Sequence, residues 1–145
     1  MVDAQAIAAL NTRAWKQCFA GVLPAAFLDR YTDPGARRRL TSPLPGSVQH
    51  VHEHAGEVTG WLWTMPCPDP DLDSATAYEV KGCYVHPDRW RTGVGRLLIN
   101  YAVELATVGG RRQVTLWTPE GAANHGGSTR PSASPPTAGR AAAST

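Results

Sequence analysis

The residues best placed to do chemistry lie in the run Tyr84-Val85-His86-Pro87-Asp88-Arg89-Trp90-Arg91-Thr92-Gly93-Val94-Gly95-Arg96-Leu97-Leu98. Its order of residue types predicts a strand passing through a tight turn into a helix. Gly93 and Gly95 let the backbone come close to a ligand, and the first amides of the helix point outward, unpaired and electropositive. Arg91 and Arg96 add full positive charge at the same mouth, so the spacing favours a phosphate or diphosphate. A G-x-G pair alone is a weak signal, because most such pairs are ordinary turns. Two nucleotide-binding patterns are excluded. A Walker loop would need Gly-Lys-Ser/Thr after its spacer, and a dinucleotide fingerprint would need a further glycine where Leu98 stands.

Four other groups carry reactive side chains. Glu79 precedes Cys83 and Val85 on the same predicted strand, so alternation puts it on their face provided no bulge intervenes. It is a candidate base, against the simpler reading of an exposed strand glutamate or an ion pair with Lys81. Cys83 has no feature nearby that would lower its pKa, and reads as a small hydrophobe rather than an acyl-carrying nucleophile. His50, His52 and His54 alternate onto one strand face and would suit zinc. Same-face neighbours are about 7 Å apart along a strand, however, and no metal is assigned to them. Arg37, Arg38 and Arg39 could hold a phosphate, but successive helical residues diverge around the axis, which favours a solvated surface.

The elements that must position these groups follow from periodicity. Ile7, Leu10, Ala14, Trp15, Cys18 and Phe19 recur at helical spacing and predict an amphipathic helix over Asp3 to Val22. A short helix is expected over Pro24 to Tyr31, closed by Asp33, Pro34 and Gly35. Val48 to Met65 reads as a hairpin of two antiparallel strands around Ala55 and Gly56. The proline-rich stretch Pro66 to Asp71 is a loop. A strand returns from Thr76 to Val85, a helix runs from Gly93 to Val108 with Gly109 and Gly110 as its stop, and a last strand spans Gln113 to Thr118. The fold class is therefore mixed α/β, with one strand-turn-helix-strand unit near its end.

With 145 residues, 42% hydrophobic and 18% charged, the chain suits one domain. No apolar run approaches the ~20 residues of a membrane span, and no basic region precedes a hydrophobic one at the N-terminus. Three widely spaced cysteines fit a reducing compartment, so a cytoplasmic location is expected. A formal charge of only +2 gives no bulk reason for a nucleic-acid or membrane partner. Every aromatic residue lies at or before Trp117, whereas Gly121 to Thr145 is Ala, Gly, Ser, Thr and Pro apart from Asn124, His125, Arg130 and Arg140. The domain is accordingly expected over 1–120, with a disordered tail over 121–145.

The run YVHPDRWRTGVGRLL resembles the acetyl-CoA motif of the GNAT superfamily of N-acetyltransferases, a strand ending in Tyr-Val-x-Pro followed by Q/R-x-x-G-x-G/A at the start of a long helix. Arg13-Ala14-Trp15, Leu23-Pro24 with Phe27-Leu28, Gly56-x-Val58-x-Gly60-Trp61 and Thr115-Leu116-Trp117-Thr118-Pro119-Glu120-Gly121 are also similar to bacterial members and occur in the same order. The likeness covers roughly residues 3 to 121. It implies a mostly antiparallel sheet flanked by helices, and acetyl transfer from acetyl-CoA to a primary amine on a small molecule or peptide, without a covalent enzyme intermediate. It also implies that backbone groups of Cys83, Tyr84 and Val85 pair with the pantetheine arm. Amides of Arg91, Thr92, Gly93, Val94, Gly95 and Arg96 would hold the diphosphate, and Glu79 matches a glutamate that is catalytic in some members.

Two departures stand out. Trp90 occupies the family's Gln/Arg position and Arg91 that of the following glycine. After Gly121 the family continues with a helix whose tyrosine protonates the thiolate, and no tyrosine lies beyond Tyr101. The change of composition there resembles out-of-frame translation, and the family's first strand would precede Val2. A domain incomplete at both ends is therefore expected, with a catalytically impaired coenzyme-binding remnant, or after it a metal-binding protein centred on His50, His52 and His54, as the alternative function.

Overall fold

In the computed structural model, which describes residues 4–119 and 138–144, the chain folds in the order α1 (Ala4–Phe19), α2 (Ala25–Tyr31), α3 (Pro34–Leu40), β1 (Val48–His54), β2 (Glu57–Pro66), β3 (Ala77–Val85), a 3-10 turn (Pro87–Arg89), α4 (Val94–Val108), β4 (Gln113–Pro119) and β5 (Ala138–Ser144). The strands form one sheet in the order β1-β2-β3-β4-β5. Every pair is antiparallel except β3 with β4, joined by the crossover through α4. This is the mixed, mostly antiparallel sheet with flanking helices that the sequence implies.

The two sheet faces bury different layers. α4 presents Val94, Leu98, Ala102 and Ala106, each four residues apart, to one face, where they meet Leu62, Tyr78, Val80, Val85 and Val114. The helix lies close to β2 at Gly60, where a Cβ would come within 3.0 Å of both Leu98 Cδ1 and Val94 Cγ1. α1 covers the other face, packing Ile7 and Leu10 against Trp61 and Trp63. Among the described residues no helix is long and apolar enough to cross a membrane.

Four expectations are corrected. α1 ends at Phe19 rather than Val22, because Gly21 turns left-handed (φ 78°) and the amides of Val22 and Leu23 both close on the Phe19 carbonyl at 3.0 Å. Asp33-Pro34-Gly35 does more than stop α2: it starts α3, Asp33 capping the helix and Pro34 filling its first turn. Within α3, Arg38 and Arg39 are exposed but Arg37 is buried, so the solvated reading of the arginine run fails at that one position. The fourth concerns the tail. Residues 121–137 lie outside the described ones, but 138–144 form β5 along β4, Ala138 opposite Pro119 and Ser144 opposite Gln113. An edge strand is held by backbone hydrogen bonds, which Ala and Ser supply as well as any residue, so the lack of large side chains does not prevent it.

Candidate functional site

β3 and β4 pair only from Ala77 with Gln113 to Val80 with Leu116. Beyond Val80 the two strands part: among the described residues β3 runs on to Val85 paired with β2 only, and β4 runs on to Pro119 beside β5. The edge of β3 from Lys81 to Val85 thus has no β4 partner, and the sheet opens into a notch whose apex is Val80. Cys83, Tyr84 and Val85 all lie along that open edge.

The same strand carries a bulge. Trp63 sits opposite Gly82 and Thr64 opposite Val80, so Lys81 is an extra residue and the alternation shifts across it. This overturns the expectation that Glu79 shares the face of Cys83 and Val85. Glu79 is in register with Met65 and Thr115 on the α1 side of the sheet. It is 3% exposed and one residue from the point where the strands part. Cys83 and Val85 belong to the α4 side. Burial pushes the Cys83 thiol up to about 12, which agrees with its reading as a hydrophobe and leaves it no thiolate at neutral pH.

At the mouth of the notch, β3 passes through the 3-10 turn into α4. Trp90 folds back, its indole N–H donating to the Val85 carbonyl at 2.9 Å, and Thr92 Oγ1 donates to the Arg89 carbonyl at 2.6 Å. Arg91 takes a left-handed conformation (φ 61°), which explains why the family pattern has glycine there. Gly93 is the N-cap at φ 94°, with no side-chain cap and no acidic residue in the first turn. The first intrahelical bond runs from the Leu97 amide to the Gly93 carbonyl at 3.0 Å, so the preceding amides of α4 point out of the helix end. Arg91, Thr92, Gly93 and Arg96 are exposed, while the Val94 side chain is anchored in the core. Arg91, Thr92, Gly93 and Arg96 therefore lie exposed around the open end of α4, as an anion site requires.

On the α1 side the sequence reading missed a buried polar cluster. Arg37 reaches from α3 to Asn11 of α1 and to the Tyr31 carbonyl, with its guanidinium over the Trp15 and Tyr31 rings. Tyr84 of β3 stacks on Trp61. Burial pushes its phenol up to about 12, against the pull of a Trp15 hydrogen bond and the Arg37 charge. The signal available in sequence was Asp-Pro opening a helix, which would have put Arg37 on a definite face of α3.

The histidines do not converge. His50 packs edge-on to Tyr101 with ring centroids 4.9 Å apart, His52 Nδ1 lies 2.8 Å from Thr59 Oγ1, and His54 is exposed at the hairpin turn. Burial lowers the pKa of His50. Among the described residues no group of three or more His, Cys, Asp or Glu could hold a metal ion.

Comparison with known proteins places this geometry. The fold matches the PaiA N-acetyltransferase of Thermoplasma acidophilum, solved in complex with coenzyme A, at a TM-score of 0.74 and 11% identity over 99% of this chain and 93% of that one. It also matches the ribosomal-protein-alanine N-acetyltransferase of Brucella melitensis at a TM-score of 0.59, with 18% identity over 85% of this chain and 78% of the other. An aminoglycoside 6'-N-acetyltransferase complexed with coenzyme A matches at 0.52 and 14% identity, over 79% of this chain and 54% of that longer one. At these identities the likeness is one of fold. No match was found among curated proteins. The sequence profile of the acetyltransferase (GNAT) family matches residues 9–125, which takes in the notch, its bulged strand and the uncapped turn alike: the chain belongs to the GNAT acetyltransferase family.

Proposed function

We propose that the chain transfers an acetyl group from acetyl-CoA to a primary amine. The observation that carries this reading is that two openings meet: the uncapped end of α4 at Gly93 and the parting of β3 from β4 after Val80. The residues at the turn fit the coenzyme on steric grounds. A Cβ on Gly93 would meet nothing within 4 Å, so the space before the turn is open. A Cβ on Gly95 would meet only Val85 Cγ2 at 3.7 Å, an ordinary contact. Alanine is favoured over glycine within a helix by about 1 kcal/mol. The protein's own packing thus fills neither position, and the turn stands open to a ligand. Outward amides with Arg91 and Arg96 are the donor set a diphosphate needs.

Acetyl-CoA supplies the acetyl group already activated as a thioester. The outward amides at the head of α4 hold the diphosphate, and the open edge of β3 over Cys83, Tyr84 and Val85 is what the pantetheine arm pairs with, apart from the Val85 carbonyl, which the Trp90 indole already takes. The open edge leads back from the turn to the apex at Val80, beside Glu79. Glu79 takes the proton that an ammonium must lose before it can attack, directly or through water. Holding both reactants in one place supplies much of the rate. The structural neighbours include enzymes for an aminoglycoside and for ribosomal-protein alanine, so small-molecule and peptide amines are both within reach of this fold. Cysteine usage supports a cytoplasmic setting for the reaction.

Thiol release from acetyl-CoA across a panel of primary amines tests this. Wild type releases CoA with at least one amine, and Glu79→Gln lowers kcat by roughly 10²- to 10⁴-fold while coenzyme affinity stays unchanged. Coenzyme binding without release by any amine would refute transfer and leave a coenzyme-binding remnant.

A further inference from the structure

β3 is a buried strand with one opening. Of its nine residues Lys81 alone is exposed. It is the extra residue of the bulge: β2 pairs Trp63 with Gly82 and Thr64 with Val80, and passes it by. β4 passes it by as well, since its last pairing with β3 among the described residues is Leu116 with Val80. A cation therefore stands at the apex of the notch, on backbone that neither neighbouring strand engages. Glu79 is buried at 3% exposure, and Lys81 pairs with no carboxylate among the described residues, so the ion pair that the sequence allows does not form.

Acetyl transfer creates a charge at that place. As the amine nitrogen bonds to the acetyl carbon, the carbon–sulfur bond breaks and its electron pair stays on sulfur. The sulfur is at the end of the pantetheine arm away from the diphosphate. An arm that starts at the head of α4 and follows the open edge of β3 from Val85 to Lys81, about 13 Å of strand, brings it to the apex. The tyrosines of β3 are not placed to meet it. Tyr78 lies on the paired side of Val80, 7% exposed, with Thr64 donating to its hydroxyl at 3.0 Å. Tyr84 stacks on Trp61, and burial pushes its phenol up to about 12. Tyr101 is on α4, against His50. Register sets Trp63, Thr64 and Leu116 beside Val80 and Gly82, and none of them carries a charge. Glu79 and Lys81, on either side of Val80, are the charged groups of β3 at the apex.

We propose that the Lys81 ammonium holds the negative charge of the departing coenzyme thiolate. This rests on the transfer reading above and names the group that serves its second half. Glu79 takes one proton from the substrate ammonium before attack. The nitrogen sheds a second once its bond to carbon is made, and that proton reaches sulfur through water. Lys81 itself gives up no proton and acts as a positive charge beside the sulfur. The thioester sulfur is uncharged, so the attraction appears as the bond breaks and not when acetyl-CoA binds, which is the kind of interaction that raises kcat.

The probe is coenzyme A itself. Its thiol is titrated on the protein from about pH 6 to about pH 9 by the ultraviolet absorbance of the thiolate, with S-methyl-coenzyme A as the blank for the protein's own groups. Bound to wild type, the thiol ionises at least about 1 pH unit lower than in free coenzyme A. Lys81→Met abolishes that lowering and Lys81→Arg keeps most of it. Calorimetry at about pH 6, where the thiol is protonated, is the folding control and shows coenzyme affinity changed less than about threefold. With acetyl-CoA and an accepted amine, Lys81→Met lowers kcat about tenfold or more and leaves KM unchanged. A bound thiol that ionises as it does in free coenzyme A overturns the proposal without recourse to any variant. A lowering that persists in Lys81→Met, or an unchanged kcat in that variant, overturns it as well. Thiol release, measured separately, keeps the two readings apart. Transfer without the lowering sinks only the role of Lys81, the lowering without release by any amine sinks the transfer reading, and no binding of coenzyme A sinks both.

Discussion

Two helices of this protein begin in opposite ways. At α3 the chain closes its own helix end: Asp33 accepts the Gly35 and Ala36 amides at 3.0 and 3.1 Å, and Pro34 removes a donor that would need a partner. At α4 the cap is Gly93, which has no side chain to offer, no acidic residue follows in the first turn, and Arg91 and Arg96 stand by instead. Capping is worth about 1 kcal/mol, so α4 forgoes stability that α3 takes. α2 also starts without a side-chain cap, at Pro24, so an open end alone marks no site. What sets α4 apart is the pair Arg91 and Arg96 and its place at the mouth of the β3/β4 notch, and on the proposed function that end is kept for the coenzyme's diphosphate.

The sharpest way to break the comparison is to put a side chain on the open end. Gly93→Val forces a β-branched residue to φ 94°. We expect a cost of about 1–2 kcal/mol in urea unfolding, and calorimetry should show coenzyme affinity reduced by about tenfold or more, some 1.4 kcal/mol. Unchanged affinity in the folded variant would mean that the turn does not hold the ligand.

The strand that feeds the open turn is itself sealed, and pH exposes this. Burial raises the Cys83 thiol and the Tyr84 phenol to about 12 from 9.0 and 10.0, and the Cys18 thiol to about 11 from 9.0. The fold therefore keeps protons that the unfolded chain gives up. These groups contribute full stability below about pH 9, lost as pH rises toward about 12. Urea midpoints should fall between about pH 8 and about pH 10.5, and Cys83→Ala should flatten the fall. A midpoint that rises over that interval would contradict the sign.

Asp33→Ala should lower stability by about 1 kcal/mol and leave coenzyme affinity as it was. If it weakened the coenzyme as much as Gly93→Val does, the two helix ends would not be separable. The smallest effect is at Gly95, where the family pattern allows Gly or Ala. Gly95→Ala should raise stability by about 0.5–1 kcal/mol with coenzyme affinity changed less than about threefold. Destabilisation would show that the first turn of α4 tolerates less than its geometry suggests.

Most of the architecture and the whole turn from Tyr84 to Leu98 are legible in the sequence, because they rest on local rules. Glycines mark the helix start, prolines the loops, and apolar spacing the buried stripes of α1 and α4. What is not legible depends on register and tertiary packing. The side of the sheet that Glu79 occupies turns on one extra residue, Lys81, which only pairing with β2 reveals. Arg37 sits in a run of three arginines with nothing local to distinguish it, and is buried because α3 lies against α1 and places that residue over Trp15. β5 was missed because strand pairing at an open edge asks little of side chains. His50, His52 and His54 keep separate partners, which spacing cannot foretell.

The claim beneath all of this is that the amides at the head of α4 grip a diphosphate. Calorimetry comparing coenzyme A with pantetheine, which has the same arm and lacks the nucleotide diphosphate, tests it directly. We predict saturable binding of coenzyme A, with pantetheine at least about a hundredfold weaker, some 2.7 kcal/mol. Equal affinities, or no heat with coenzyme A, would contradict it.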